Sequence, residues 1–504
     1  MTVGTNVIAN YLGQGWAAIM GIAFVPLYIS TLGAETYGLI GVFAVLQAWI
    51  TLLDLGLTPT LNREMARLQA GSRTPESIRD LLRSLELVYA LAAILMIAAI
   101  WLAADWLSAG WLKADRIAPG QVSLSIRIMS FVLATRWLEQ VYRGALQGLQ
   151  DQVWLNAMQA FMATLRWGGA YLVIAFGWPT VAAFFIWQGA VSVLTIALLV
   201  RRTYQRLPAS GRSARFSASA LYEIRHFASG MFLGAILGVV LTQADKIIIS
   251  KLLPLEQFGY YTLASTLAGG LLQLIIPMNN ALYPRLTEQV ARGSTAALKD
   301  TYQLACQWVA AIVIPPALVL ALFPSPVLVA WTGNASLAGA TAPLLTPLAL
   351  GTLMNGLMNL PYMLQLAHGW TSLAVKVNLV AVALVVPALA WFVQRDGAAG
   401  AAWVWFALNT GYVLVTAQLM HRRILPELKW PWYRSAVAWP LLAGLATCAV
   451  LRQILPEPAS RTVAAGQVCL AGMVIAAAVV LSLREVRHRI ASILAVVLPH
   501  SRLR

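Results

Sequence analysis

REMARLQAGSRTPESIRDLLRSLELVYALAAILMIAAIWLAADWL, residues 63–107, joins two kinds of sequence that a membrane sorts to different places. The first part carries Arg63, Arg67, Arg73, Arg79 and Arg83; the second, from 83 to 107, is apolar apart from a few polar side chains near its two ends. A helix of about 20 apolar residues crosses about 30 Å of hydrocarbon, and loops rich in Arg and Lys stay on the cytosolic side. The stretch therefore predicts a transmembrane helix that enters from the cytosol.

The same alternation extends in both directions. Apolar windows predict about fourteen spans, near 5–29, 37–58, 83–107, 121–148, 152–176, 178–200, 227–252, 258–283, 301–323, 343–367, 371–394, 398–420, 435–455 and 462–483. Of the 35 Lys and Arg residues, 23 fall in five segments, 59–83, 201–226, 284–300, 421–434 and the tail from 484. All five lie on one face of the ladder. The other face carries only Lys113, Arg116, Lys251, Arg395, Arg452 and Arg461. The expected topology is a multi-pass protein of a bacterial inner membrane with both termini cytosolic. With 60% hydrophobic and 11% charged residues, against about 25% charged in soluble domains, lipid must cover most of the surface. The fold class is all-α, because helices satisfy every backbone group within the segment and these spans are too long for barrel strands.

Composition and loop length exclude several functions. The net charge of +16 is spread over short loops without a nucleic-acid-binding module, so anionic lipid headgroups are the expected partner. No extramembrane segment exceeds about 27 residues, too few to bury a core of its own, which rules out an appended catalytic domain. No Lys follows a Gly, so the phosphate-cradling loop of ATPases is absent. His226, His368, His421, His488 and His500 are scattered over expected cytosolic segments, and Cys306, Cys448 and Cys469 lie apart within spans. Neither set has metal-ligand spacing. The reading is of a protein that is not an enzyme and holds no metal or cofactor, with H⁺ or Na⁺ left open as a coupling ion.

The chain repeats itself at an offset of about 220 residues, a sign of paired transporter lobes. YISTLGAETYGLIGVF (28–43) pairs with IISKLLPLEQFGYYTL (248–263), matching Glu35, Tyr37 and Gly38 to Glu256, Phe258 and Gly259. GLTPTLNRE (56–64) pairs with PMNNALYPR (277–285). The expected organisation is two pseudo-symmetric six-helix lobes, 1–226 and 227–434, followed by two further helices and a basic tail over 435–504.

Charges retained inside spans are candidate functional groups, since each costs about 2.5–3.5 kcal/mol at the bilayer centre on insertion scales. The fourth span carries Arg127, Arg136 and Arg143. Arg136 and Arg143 share a helix face about 10 Å apart, and Glu139 between them can pair with either. This cluster reads either as a structural tie or as the wall of an anion-attracting cavity. Arg166, in the fifth span, has no acid within four residues and is the foremost candidate for a cavity cation. Asp245 and Lys246 point about 100° apart and are expected to have different partners. Asp54 reads first as a helix-end residue. Trp106, Trp111, Trp178, Trp331, Trp430 and Trp432 suggest an interfacial aromatic belt.

YISTLGAETYGLIGVFAVLQAWITLLDLGLTPTLNREMA (28–66), YRGALQGLQ (142–150), ADKIIISKLLPLEQFGYYTLAS (244–265) and LPYMLQLAHG (360–369) together resemble the polysaccharide transport family. These are the O-antigen and exopolysaccharide repeat-unit flippases of the multidrug/oligosaccharidyl-lipid/polysaccharide exporter superfamily. The resemblance implies two six-helix lobes plus two helices and export of an undecaprenyl-pyrophosphate-linked glycan without ATP, with polysaccharide assembly proteins as further partners. It also implies a cationic central cavity, for which Arg136, Arg143, Arg166 and Lys246 are the candidates by type and depth. Asp54, Gly56, Arg63, Asp245, Gly259 and Gln365 are carried as family-motif positions, with Asp54, Glu139 and Asp245 as coupling or structural acids. The rival readings are a peptidoglycan-precursor flippase, a multidrug or cation exporter of the same superfamily, and a membrane-embedded glycan polymerase or transferase.

Overall fold

The computed structural model describes residues 3–54, 57–69, 71 and 73–489; Gly56, and His500, Arg502 and Arg504 of the tail, lie outside them. In chain order the helices are α1 (Val3–Ala23), α2 (Val25–Leu32), α3 (Ala34–Ile50), α4 (Leu57–Gln69), α5 (Pro75–Trp106), α6 (Pro119–Gly148), α7 (Gln152–Phe176), α8 (Val181–Arg206), α9 (Ala218–Leu252) and α10 (Leu255–Gln273). They continue as α11 (Ile276–Ala291), α12 (Thr295–Leu322), α13 (Pro324–Thr332), α14 (Ala335–Ala367), α15 (Thr371–Gly411), α16 (Ala417–Arg423), α17 (Lys429–Trp432), α18 (Trp439–Ile454) and α19 (Arg461–Ser482). Among the described residues there is no strand, only an isolated bridge between Lys113 and Pro254.

Each expected span finds helix at its position, and the protein is an all-helical, multi-pass membrane protein. Among the described residues, eight segments are long and apolar enough to cross a membrane on those grounds alone. The others fall short for visible reasons: α3 has 17 residues, and α6 carries Arg127, Arg136, Glu139 and Arg143. The eleventh and twelfth spans are two helices within the α15 range that meet at a break, Gly397, where φ is 62° and ψ −147°. Only a residue without a Cβ adopts that conformation readily.

Helix starts follow local chemistry. Thr74, Thr180, Ser217, Asn334 and Ser460 each accept a backbone N–H three residues on, satisfying donors that the first turn leaves orphaned. One helix lies where a loop is expected. In α4, Leu61 and Met65 are buried while Arg63 and Arg67 are exposed, the stripe of an amphipathic helix. It packs on α6 at Gly144 and Gly148, where a Cβ would collide with the backbone of Thr58 and Asn62.

The chain forms two compact units, residues 1–262 and 263–504. In the first, α6 is the central helix and packs against α4, α5 and α8. The expected lobe boundary at 226 falls inside this unit, because α9 packs on α3, α4 and α5. The two repeat motifs also meet here. A Cβ at Gly38 would strike the Leu255 carbonyl, and one at Gly259 the Ala34 carbonyl, so the paired glycines let two backbones approach closely.

In the second unit, α12 is surrounded by α14, α18 and α19, around a core that includes Val309, Val313, Ala317 and Leu318. Arg461 donates to the carbonyls of Ala330 and Trp331 at 3.0 and 3.1 Å, capping α13. Trp432 departs from the expected interfacial belt, and His421 packs beside it. Both are buried, with His421 between the Tyr302 hydroxyl and the Ala417 carbonyl and Trp432 beside its ring. By contrast Trp106, Trp178 and Trp430 are exposed, as an interfacial belt requires.

Candidate functional site

Residues 136, 139 and 143 fall on one face of α6 by helical spacing, and neighbouring helices of the first unit bring polar groups to that face. Arg143 donates to Glu139 at 3.3 Å and to Gln159 of α7 at 3.2 Å. Arg166, from α7, donates to Glu139 at 3.2 Å and to Ser192 of α8 at 3.3 Å. Arg136 donates to Gln47 of α3 at 2.7 Å and to Gln188 of α8 at 2.6 Å, with its guanidinium 4.9 Å from the Phe43 ring centre.

Three guanidiniums therefore gather about one carboxylate, which pairs with two of them. Arg136 meets only neutral acceptors and an aromatic face among the described residues. The Nε groups of Arg136 and Arg166 are buried without an acceptor. The Glu139 side chain is 4% exposed, behind Arg166 at 15% and Arg143 at 25%. Buried like charges without enough counter-charge are costly, and this cluster holds three guanidiniums to a single carboxylate.

The arrangement revises the expectation for Arg166. It has no acid nearby in sequence, yet Glu139 reaches it from the adjacent helix, and Arg136 is the cation without a carboxylate. Sequence reasoning missed Gln47, Gln159 and Gln188. A signal was available, since amides within apolar spans also cost energy unless hydrogen-bonded.

The other candidates lie elsewhere. Lys246 joins none of the three arginines; it donates to the Thr242 carbonyl at 3.0 Å and sits 3.4 Å from Asp245. Asp245 and Lys246 thus share a contact instead of having separate partners, and Asp245 also accepts the Tyr261 hydroxyl at 2.6 Å. Asp54 ends a short 3₁₀ turn and accepts the Thr58 hydroxyl at 2.5 Å and the Tyr89 hydroxyl, with the Tyr89 ring stacked on Trp137 at 4.3 Å. Arg127 pairs with Asp105 at 2.8 Å. Arg63 is half exposed beside Glu64, which also binds Arg67 and Arg73. In the second unit, Gln365 is 1% exposed with both amide atoms unpartnered.

Each end of the first unit is tied by polar groups. At the end carrying the arginine-rich segments, Asp151 accepts from Arg202 at 2.6 Å and from Arg206 at 2.9 Å through two nitrogens. Burial alone would raise its carboxyl, but hydrogen bonds from Arg206 and Arg202 outweigh that and hold it below the usual aspartate range. At the opposite end, the loop 111–117 is held from two sides. Glu35 accepts the backbone N–H groups of Asp115 and Arg116 at 2.8 and 3.0 Å and that of Ile117 at 3.3 Å. Lys113 donates to the Leu252 carbonyl and accepts from the Leu255 N–H, both at 2.8 Å, and Arg116 pairs with Glu256 at 3.6 Å.

The sequence profile of the family described as "Polysaccharide biosynthesis protein" matches residues 3–290. The chain belongs to that family. A search of curated proteins returns no match. Among solved structures, the fold is similar to "Lipid II flippase MurJ, inward closed conformation", with a TM-score of 0.71 and 11% identity over 97% of this chain and 99% of that one. It is also similar to an inward-facing multidrug resistance MATE family transporter of the MOP superfamily, with a TM-score of 0.65 and 15% identity over 81% of this chain and 95% of that one. A third, a MOP superfamily transporter from Pyrococcus furiosus solved with a binding pocket of reverse polarity, gives a TM-score of 0.56 and 14% identity over 84% and 95%. At these identities the likeness is one of fold, and it is the MOP transporter fold that carries the polysaccharide-family sequence.

Proposed function

We propose that this protein is a flippase that moves a polyprenyl-pyrophosphate-linked oligosaccharide from the cytosolic to the periplasmic leaflet of a bacterial inner membrane, for surface polysaccharide assembly. The observation that carries the proposal is three guanidiniums around one carboxylate on membrane-spanning helices. A pyrophosphate with attached sugars cannot cross about 30 Å of hydrocarbon unaided. A guanidinium matches phosphate oxygens with a planar fork of donors, so Arg136, Arg143 and Arg166 would receive the head while the prenyl chain stays in lipid. In this reading the arginine-rich face is cytosolic, two lobes alternate access by rocking, and 435–504 adds two helices. Asp54 and Asp245 are the acids available to a coupling H⁺ or Na⁺. The test is surface polymer in cells relying on this gene: Arg136→Ala and Arg143→Ala abolish it at unchanged protein level, and full polymer in both variants overturns the site.

A second reading, a peptidoglycan-precursor flippase, draws support from end-to-end superposition on the lipid II flippase structure. Complementation of a strain depleted of its own lipid II flippase separates the two: growth supports the second reading, and its absence favours the repeat-unit substrate.

A further inference from the structure

Two kinds of carboxylate–arginine site occur in the first unit, and their contrast assigns a role to Glu139. Asp151 is gripped through short bonds of 2.6–2.9 Å, with Arg206 engaging both carboxylate oxygens, as charge-assisted pairs with a structural role are. Glu139 has one long contact to each partner, 3.3 Å to Arg143 and 3.2 Å to Arg166. Each arginine spends a terminal nitrogen on it, and the Arg166 Nε is left with no acceptor. The carboxylate also lies behind its partners, being less exposed than either guanidinium.

We propose that Glu139 is a built-in stand-in for the phosphate anion. It holds Arg143 and Arg166 apart and in place while the site is empty, and gives them up when a phosphorylated head arrives. This rests on the reading that the cluster receives the pyrophosphate. A pyrophosphate brings more charge and matches the guanidinium forks with paired oxygens, so it displaces a carboxylate that makes one slack contact per arginine. Glu139 then lowers affinity for the cargo and recaptures the arginines as the cargo leaves. In these terms it is a positioning residue that sets release.

The experiment uses the full chain in lipid nanodiscs with farnesyl pyrophosphate as the probe and farnesol as the uncharged control. Glu139→Gln is expected to bind farnesyl pyrophosphate about tenfold more tightly than the wild type, because a competing charge is gone, with farnesol binding unchanged. Equal or weaker binding by that variant overturns the stand-in. Difference infrared spectra of wild-type protein labelled with ¹³C-glutamate give a check that needs no variant. Adding the probe shifts the carboxylate stretch of a buried glutamate that loses its guanidinium partners, and no shift overturns the proposal. If Arg143→Gln and Arg166→Gln bind the probe as the wild type does, the cluster does not receive pyrophosphate and the functional reading itself falls. If they bind more weakly while Glu139→Gln gains nothing, only the stand-in falls.

Discussion

Arg136→Ala and Arg166→Ala remove the same group from the same cluster, yet the structure predicts opposite profiles of stability and binding. Removing Arg136 strands no carboxylate. The Gln47 and Gln188 carbonyls each lose a donor, at about 1–3 kcal/mol apiece, while the cost of a buried, unneutralised charge, several kcal/mol, is relieved. The two terms are of similar size, so the expected net effect is near neutral. Removing Arg166 instead leaves Glu139 with only the contact to Arg143, and breaking a buried pair costs about 3–5 kcal/mol. At about 2–4 °C per kcal/mol for a unit of this size, the Arg166 variant melts about 6 °C or more below the Arg136 variant. Binding does not follow stability. Loss of a charge-assisted contact to phosphate, about 1.5–3 kcal/mol, lowers farnesyl pyrophosphate affinity of the Arg136 variant about 10- to 150-fold. The assay pairs thermal unfolding with titration of the probe in the same nanodiscs. A melting temperature for Arg136→Ala as low as for Arg166→Ala, or an affinity within about twofold of wild type, refutes the reasoning.

Gly38→Ala and Gly259→Ala each place a methyl against a carbonyl of the facing helix, and either variant loses about 1–3 kcal/mol from overpacking, read as a lower melting temperature; Gly211→Ala, with open space around it, serves as the neutral control. Asp151 has a depressed carboxyl pKa in the folded protein, so its stabilisation is fully present above about 3.9, the unfolded value, and is lost as pH falls through the lower folded value. The gap between wild type and Asp151→Asn, about 1–2 kcal/mol because both arginines keep contact with water, is therefore flat from about pH 5 to 8 and closes in stronger acid; a gap that widens in acid contradicts the assignment. Glu35→Gln removes the charge that gathers three backbone amides, and is expected to speed hydrogen exchange at Asp115, Arg116 and Ile117; unchanged exchange there would show that the loop is held by other contacts.

Helix positions were legible because apolar length is itself the physical requirement for crossing a bilayer, and α8 or α12 needs no partner to be recognised. α4 was hidden because Arg63 and Arg67 drew the reading toward a loop, although Leu61 and Met65 are spaced four apart. The site was legible in part. Arg136, Glu139 and Arg143 share one helix, so their proximity follows from spacing. The pairing of Arg166 with Glu139 joins residues on different helices, and local periodicity carries no record of which faces meet. The same limit applies to Asp245, whose hydroxyl donor comes from Tyr261 on the next helix. The repeat gained a physical meaning: Gly38 and Gly259 match in sequence because each removes a collision with the other's helix.

The loop 111–117 divides its allegiance unequally between two glutamates that correspond in the repeat. Glu35 is buried and collects three main-chain amides, whereas Glu256 holds the loop by one ion pair at 3.6 Å whose arginine is 76% exposed. Ionic strength screens the second grip and scarcely touches the first. What high salt leaves on the α9–α10 side is the pair of 2.8 Å bonds between Lys113 and the Leu252 and Leu255 backbone, so the loop stays tied to both helix pairs.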